Sequence, residues 1–117
     1  MHEYSIVASL IDVCKKQALK ANASSVKSVT LRIGRLSGIE PHFMQSCFDT
    51  FKEDTICHDA ILHMNIVAVK IFCLTCKKEH EVKENNFFCP SCKSGETKML
   101  QGQEMLVESI EILGNNG

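Results

Sequence analysis

The sequence predicts an α+β fold: a small three-stranded sheet with two helices, interrupted late in the chain by an inserted four-cysteine subdomain. Three observations predict it. Residues 4–20 carry a helical apolar period, residues 28–33 alternate with a period of two, and two CxxC pairs stand before the last strand. The 117 residues leave room for one ordinary domain and a small appendage.

Ile6, Val7, Leu10, Ile11, Cys14, Ala18 and Leu19 recur at the spacing of one helical face, with Asp12, Lys15, Lys16 and Lys20 mostly opposite. Ala23-Ser24-Ser25 is expected to break this first helix. Val29, Leu31 and Ile33 then alternate with Ser28, Thr30 and Arg32, as in a half-buried strand. Gly34 to Gly38 reads as a loop. Pro41 suits the first turn of a second helix, which is expected to bury Phe43, Met44, Cys47, Phe48 and Phe51 and to end near Asp54. Glu40 falls at its amino end, where a carboxylate meets the helix dipole favourably. Leu62, Met64, Ile66 and Ala68 alternate along a strand that blurs into Val67 to Ile71, so it is expected to run on into another unit. Leu106 to Leu113 is the final strand, and Gly114 to Gly117 should fray. The expected domains are residues 1–69 with 104–117 as the α+β domain, and residues 70–103 as the inserted subdomain.

Thirteen basic and 14 acidic side chains leave a formal charge of −1, which argues against gripping nucleic acid or an anionic membrane through bulk charge. No apolar run approaches the roughly 20 residues of a membrane span. Met1-His2-Glu3-Tyr4 lacks the basic and apolar blocks of a secretory signal, so a cytoplasmic location is expected. In a reducing compartment the seven cysteines stay thiols unless a metal holds them.

Cys73-Leu74-Thr75-Cys76 and Cys89-Pro90-Ser91-Cys92 form CxxC, a twelve-residue spacer, and CxxC. Each pair can present two thiolates on one tight turn, and a short hairpin between them closes a tetrahedron. Zinc prefers that soft, four-coordinate set. A redox CxxC would need no second pair, and neither common iron–sulfur spacing is present. With four protein ligands no position is left to activate water, so the zinc is structural. It can supply on the order of 10 kcal/mol to a segment too short to fold alone. Phe87 and Phe88 precede the second pair and are expected to cover the site. Residues 70–103 hold six lysines against four glutamates, which supports an alternative reading as a zinc-ribbon adaptor for nucleic acid or a protein complex.

His2-Glu3 alone means little, since terminal histidines are mostly solvated. The chemistry nevertheless allows a chelate: the α-amine, the next amide nitrogen and a His2 ring nitrogen close fused rings about one metal. That planar nitrogen set suits Ni(II) or Cu(II) and poorly matches tetrahedral zinc. Glu3 can add its amide or its carboxylate.

Met-His-Glu-Tyr-Ser before an amphipathic helix, Gly34-Arg35-Leu36-Ser37-Gly38-Ile39-Glu40-Pro41 after the first strand, the late CxxC…CxxC, and the closing Ser109-Ile110-Glu111-Ile112 together resemble the HypA family. These are nickel metallochaperones for maturation of [NiFe]-hydrogenase and, in some bacteria, urease. The resemblance runs almost end to end. It implies Ni(II) as transferable cargo held by Met1, His2 and Glu3, with the His2 imidazole essential, and structural Zn(II) on Cys73, Cys76, Cys89 and Cys92. It matches Glu40 to an acidic loop position close to the nickel end. A HypB-type GTPase, a hydrogenase large-subunit precursor and urease accessory proteins are the implied partners, with neither nucleic acid nor membrane among them. Some members place a histidine beside each CxxC. Here only His80 lies near, four residues after Cys76, so a pH response of the zinc is not expected.

His42 reads as solvent-exposed and His63 as facing water or paired locally. Cys57-His58-Asp59 looks metal-like, but adjacent residues on a turn seldom converge on one ion. Cys14 and Cys47 read as small buried hydrophobes, and Met44 and Met64 as packing residues. The chain shows no catalytic constellation and no GxxxxGK[ST] loop, so it is expected not to be an enzyme.

Overall fold

The computed structural model describes residues 3–83 and 86–114, in the order α1 (Glu3–Lys20), β1 (Ala23–Gly34), α2 (Pro41–Phe51), β2 (Ile61–Val67), β3 (Val69–Cys73), β4 (Glu79–Val82), β5 (Thr97–Gln101) and β6 (Met105–Gly114). The strands form two three-stranded sheets, ordered β2-β1-β6 and β4-β3-β5. Two compact units result. The first comprises Met1–Leu31, Ile39–Met64 and Val107–Gly117; the second comprises Arg32–Gly38 and Asn65–Leu106. No helix among the described residues is long and apolar enough to cross a membrane.

In the first unit α1 buries Val7, Leu10, Cys14 and Ala18, steps of three and four residues that make one stripe. The stripe is narrower than the apolar pattern suggests: Leu19 is 71% exposed. The helix is ended by Asn22, whose left-handed φ of 55° suits a C-terminal cap, and not by Ala23-Ser24-Ser25, which instead open β1. Val26, Val29 and Leu31 of β1 are buried, and Ser24 and Ser28 hydrogen bond to Leu113 and Glu111 of β6. Helix α2 starts at Pro41 as expected but stops at Phe51, with Lys52 as its cap. It buries Met44, Cys47 and Phe48. Phe43 stays 53% exposed because it falls outside that stripe. The Tyr4 ring meets Phe51 edge-on, with centroids 4.5 Å apart, tying α1 to α2.

The extended chain does pass from one sheet to the other, as the blurred alternation suggests: β2 ends at Val67, Ala68 interrupts, and β3 begins at Val69. In the second unit β3 is the central strand, antiparallel to β4 and β5, with Lys70 facing Glu81 and Cys73 facing Thr97. Val69, Ile71 and Cys73 are buried along it.

The end of β1 and the following loop are held within this unit by a compact polar lattice. Gly34 N–H donates to the Glu104 carbonyl at 2.8 Å and Leu36 N–H to the Gly102 carbonyl at 2.6 Å. Arg32 donates to the Glu104 carboxylate at 3.1 Å and to Gln101 at 2.8 Å, while Gln101 donates to the Ala68 carbonyl. Gly102 N–H completes the lattice on Glu104 at 2.6 Å. Two glycines permit the approach. A Cβ on Gly34 would stand 2.1 Å from the Gly102 carbonyl carbon, and Gly102 itself has φ +130°, which side chains rarely adopt.

Two outcomes follow for stability. Gly34→Ala forces backbone against backbone and should cost about 3 kcal/mol or more, read as a lowered denaturation midpoint. The Gly102 N–H, its own N–H and the Arg32 guanidinium hold the Glu104 carboxyl below its usual value of 4.5. A depressed carboxyl stabilises the fold above the unfolded-state value, and that contribution fades as pH falls through the folded-state value. The stability gap between the parent and Glu104→Gln should therefore narrow in denaturation curves taken from about pH 6 down to about pH 3.

Candidate metal centre

Strand β3 delivers Cys73 directly into a tight turn. Cys73 N–H donates to the Lys78 carbonyl and Lys77 N–H to the Cys73 carbonyl, both at 2.9 Å, while Lys77 takes the left-handed φ of 60°. The second pair repeats this. Cys89 N–H donates to Ser94 and Lys93 N–H to Cys89, again at 2.9 Å, with Lys93 at φ 65°. In each turn the N–H of the second cysteine points at the first sulfur, Cys76 to Cys73 at 3.4 Å and Cys92 to Cys89 at 3.5 Å. These are two copies of one knuckle. They are joined by Leu74 N–H to the Glu96 carbonyl at 2.9 Å and by the Thr75 and Ser94 hydroxyls, also 2.9 Å apart.

The knuckles bring all four sulfurs within 4.8 Å of one another. Cys73 and Cys92 are 3.5 Å apart and Cys76 and Cys89 3.7 Å. Metal–sulfur bonds of about 2.3 Å in a tetrahedron give edges of about 3.8 Å, so the thiols already stand near the spacing that such an ion requires. Their protonation tells the same story. The Cys76 N–H pulls the Cys73 thiol down to about 6, and the Cys92 N–H lowers Cys89. Burial, then the Cys73 and Cys89 sulfurs, push Cys76 up to about 12. At Cys92 the Ser94 N–H acts downward but is outweighed by Cys73, burial and Cys89, and the thiol ends raised. Alone, half the set ionises readily and half resists. A cation at the centre removes that conflict.

Beside the cluster, His80 Nε2 lies 3.9 Å from Cys76 Sγ, a proximity that four residues of separation only hint at. The expected aromatic cover is partial: Phe88 is 61% exposed and packs its ring against Gly95 in the second knuckle.

At the other candidate centre, Met1 and His2 lie outside the described residues. The description starts at Glu3, in the first turn of α1, and the fold brings Glu3 to Glu40. Glu40 is the N-cap of α2, its carboxylate accepting the Phe43 N–H at 2.6 Å. Its own N–H donates to the Glu3 carboxylate at 2.7 Å. The position of Glu40 at the helix start was legible from Pro41. The buried Glu3 side chain was not, because a glutamate near a chain's beginning usually faces water.

The remaining candidates fall where the sequence left them. His42 and His63 are exposed, and His58 bridges the Asp59 carboxylate and the Thr55 carbonyl. Cys14 and Cys47 are buried, and so is Cys57.

Residues 1–112 match the family described as hydrogenase/urease nickel incorporation, metallochaperone, hypA. Among curated relatives, hydrogenase maturation factor HypA of Aquifex aeolicus is 46% identical over 96% of this chain and 97% of its own length. That of Shewanella halifaxensis is 43% identical over the same shares. The solution structure of the Ni metallochaperone HypA from Helicobacter pylori superposes with a TM-score of 0.70 at 34% identity, covering 98% of this chain and all of that one. With matched sequence, matched fold and its own four-cysteine knuckle pair, this chain belongs to the HypA family.

Proposed function

We propose that the chain is a nickel metallochaperone that delivers Ni(II) during maturation of [NiFe]-hydrogenase, and of urease where the cell makes one. The observation carrying this reading is the family match across residues 1–112, joined to a four-cysteine cluster that is chemically complete without the chain's beginning. Zn(II) is the ion for Cys73, Cys76, Cys89 and Cys92, since it accepts four thiolates at the observed sulfur spacing and is redox-inert. Its role is to hold the knuckles. The α+β domain of residues 1–69 and 104–117 carries the cargo, and residues 70–103 form the zinc subdomain.

The cargo is taken by nitrogen. The Met1 α-amine, the amide and ring nitrogens of His2 and the backbone of Glu3 make a near-planar set that suits Ni(II), with Glu40 close by. Cu(II) binds such a set at least as tightly, so selectivity rests on metal supply and on partners. A carrier with no phosphate loop of its own needs its release driven from outside. The partners of this reading are a HypB-type GTPase and the hydrogenase large-subunit precursor, met in the cytoplasm.

Calorimetry with Ni(II) on untagged protein should show a site that disappears in His2→Ala while zinc content stays constant. Unchanged nickel binding in that variant would reject the amino-terminal assignment. The double change Cys73→Ser with Cys76→Ser should abolish zinc retention and open the 70–103 segment to proteolysis, because structural zinc contributes on the order of 10 kcal/mol. A segment that stays protease-resistant without zinc would contradict the structural role.

A further inference from the structure

Each knuckle carries a lysine where glycine would fit the backbone without strain. Lys77 and Lys93 occupy equivalent places, next after the second cysteine of each pair, with φ of 60° and 65°. That left-handed conformation is unfavourable by about 1 kcal/mol or more for a residue with a side chain, and free of strain for glycine. Lys78 adds a third charge beside Lys77, and neither residues 73–78 nor residues 89–95 include an acid. All three lysines are exposed.

Apolar side chains stand beside them. Phe88 is 61% exposed, Leu74 46% and Phe87 40%. Leu74 N–H donates to the Glu96 carbonyl at 2.9 Å, the Phe88 ring lies over Gly95, and the Thr97 hydroxyl donates to the Phe87 carbonyl at 2.6 Å. All three therefore border residues 93–97, the stretch that opens with Lys93. Apolar residues scattered singly over a surface need no explanation. Three about one turn, rimmed by cations, have the make-up of a docking face.

We propose that the knuckle tips dock an acidic segment of a partner protein, whose apolar side chains seat against Leu74, Phe87 and Phe88 while its carboxylates meet Lys77, Lys78 and Lys93. Charge complementarity selects the partner. Nucleic acid is the other polyanion, but it asks for a longer cationic track and for planes on which bases stack. Here Leu74 has no π face, no arginine follows Arg35, and the whole chain carries a charge of −1. The surface is separate from the nickel reading and needs only that the knuckles stay closed.

The test uses the zinc-loaded full chain and three probes: a short peptide alternating aspartate with leucine, its counterpart with lysine for aspartate, and a single-stranded oligothymidine. In amide NMR spectra the aspartate peptide should shift residues 74–78 and 87–95 and saturate below about 1 mM, weakening as salt is added. Leu74→Ser with Phe88→Ser should lower its affinity about 10-fold or more, the scale of losing interface anchors. Lys77→Glu with Lys93→Glu should turn the preference towards the lysine peptide. Lys77→Gly with Lys93→Gly relieves the backbone, so the denaturation midpoint should hold or rise while affinity for the aspartate peptide falls about 10-fold. If that glycine variant instead lost zinc and kept its affinity for the peptide, the lysines would serve the cysteine centre and the proposal would fail. It would fail equally if the aspartate peptide left residues 74–78 and 87–95 unmoved, or if the oligothymidine displaced it from them.

Discussion

Four cysteine sulfurs held within 4.8 Å of one another cannot all be thiolates unless a cation stands among them, and this conflict governs the second unit. The backbone prepares the conflict and does not relieve it. Each knuckle aims the N–H of its second cysteine at the first sulfur, which draws a proton from Cys73 and Cys89 but leaves Cys76 and Cys92 holding theirs. A metal ion exchanges those protons for four bonds of nearly fixed length. The left-handed turns at Lys77 and Lys93, the link from Leu74 to Glu96 and the short strands β4 and β5 then rest on the knuckles. On the proposed zinc reading, a unit with so few buried apolar side chains draws its order from that centre.

The first unit is organised differently, by an apolar stripe on each helix, the buried residues of β1, and two carboxylates at the start of α2. The chemistry proposed above follows the same division. Soft sulfur in a closed tetrahedron suits an ion that stays, whereas nitrogen at a chain terminus suits one that leaves. A carrier needs both properties. It must fold reliably around one metal and hold a second loosely enough to release it.

Much of this was legible in the sequence because the strongest signals are local. Pro41 set the start of α2, period-two alternation set the middle of β1, and the paired CxxC spacing set the cysteine cluster. What was not legible depends on chain segments far apart. The Gly34–Gly102 approach, which draws Arg32–Gly38 into the second unit, leaves no trace in either local stretch. The exposure of Leu19 and Phe43 reflects stripes narrower than the run of apolar residues around them. The first helix stops at Asn22 and not at the serines after it, because tolerance of left-handed backbone is the commoner way to end a helix. The burial of Glu3 was hidden for the same reason as the glycine contact, since its partner Glu40 lies 37 residues away.

The central claim is that two unlike metals occupy two chemically distinct places on one chain. Its most direct test is native mass spectrometry of untagged protein after exposure to excess Ni(II) and removal of loosely held ions. The predicted result is a single dominant species carrying one zinc and one nickel together. A spectrum in which nickel appears only as zinc departs would place both ions in competition for the four cysteines and would contradict the claim.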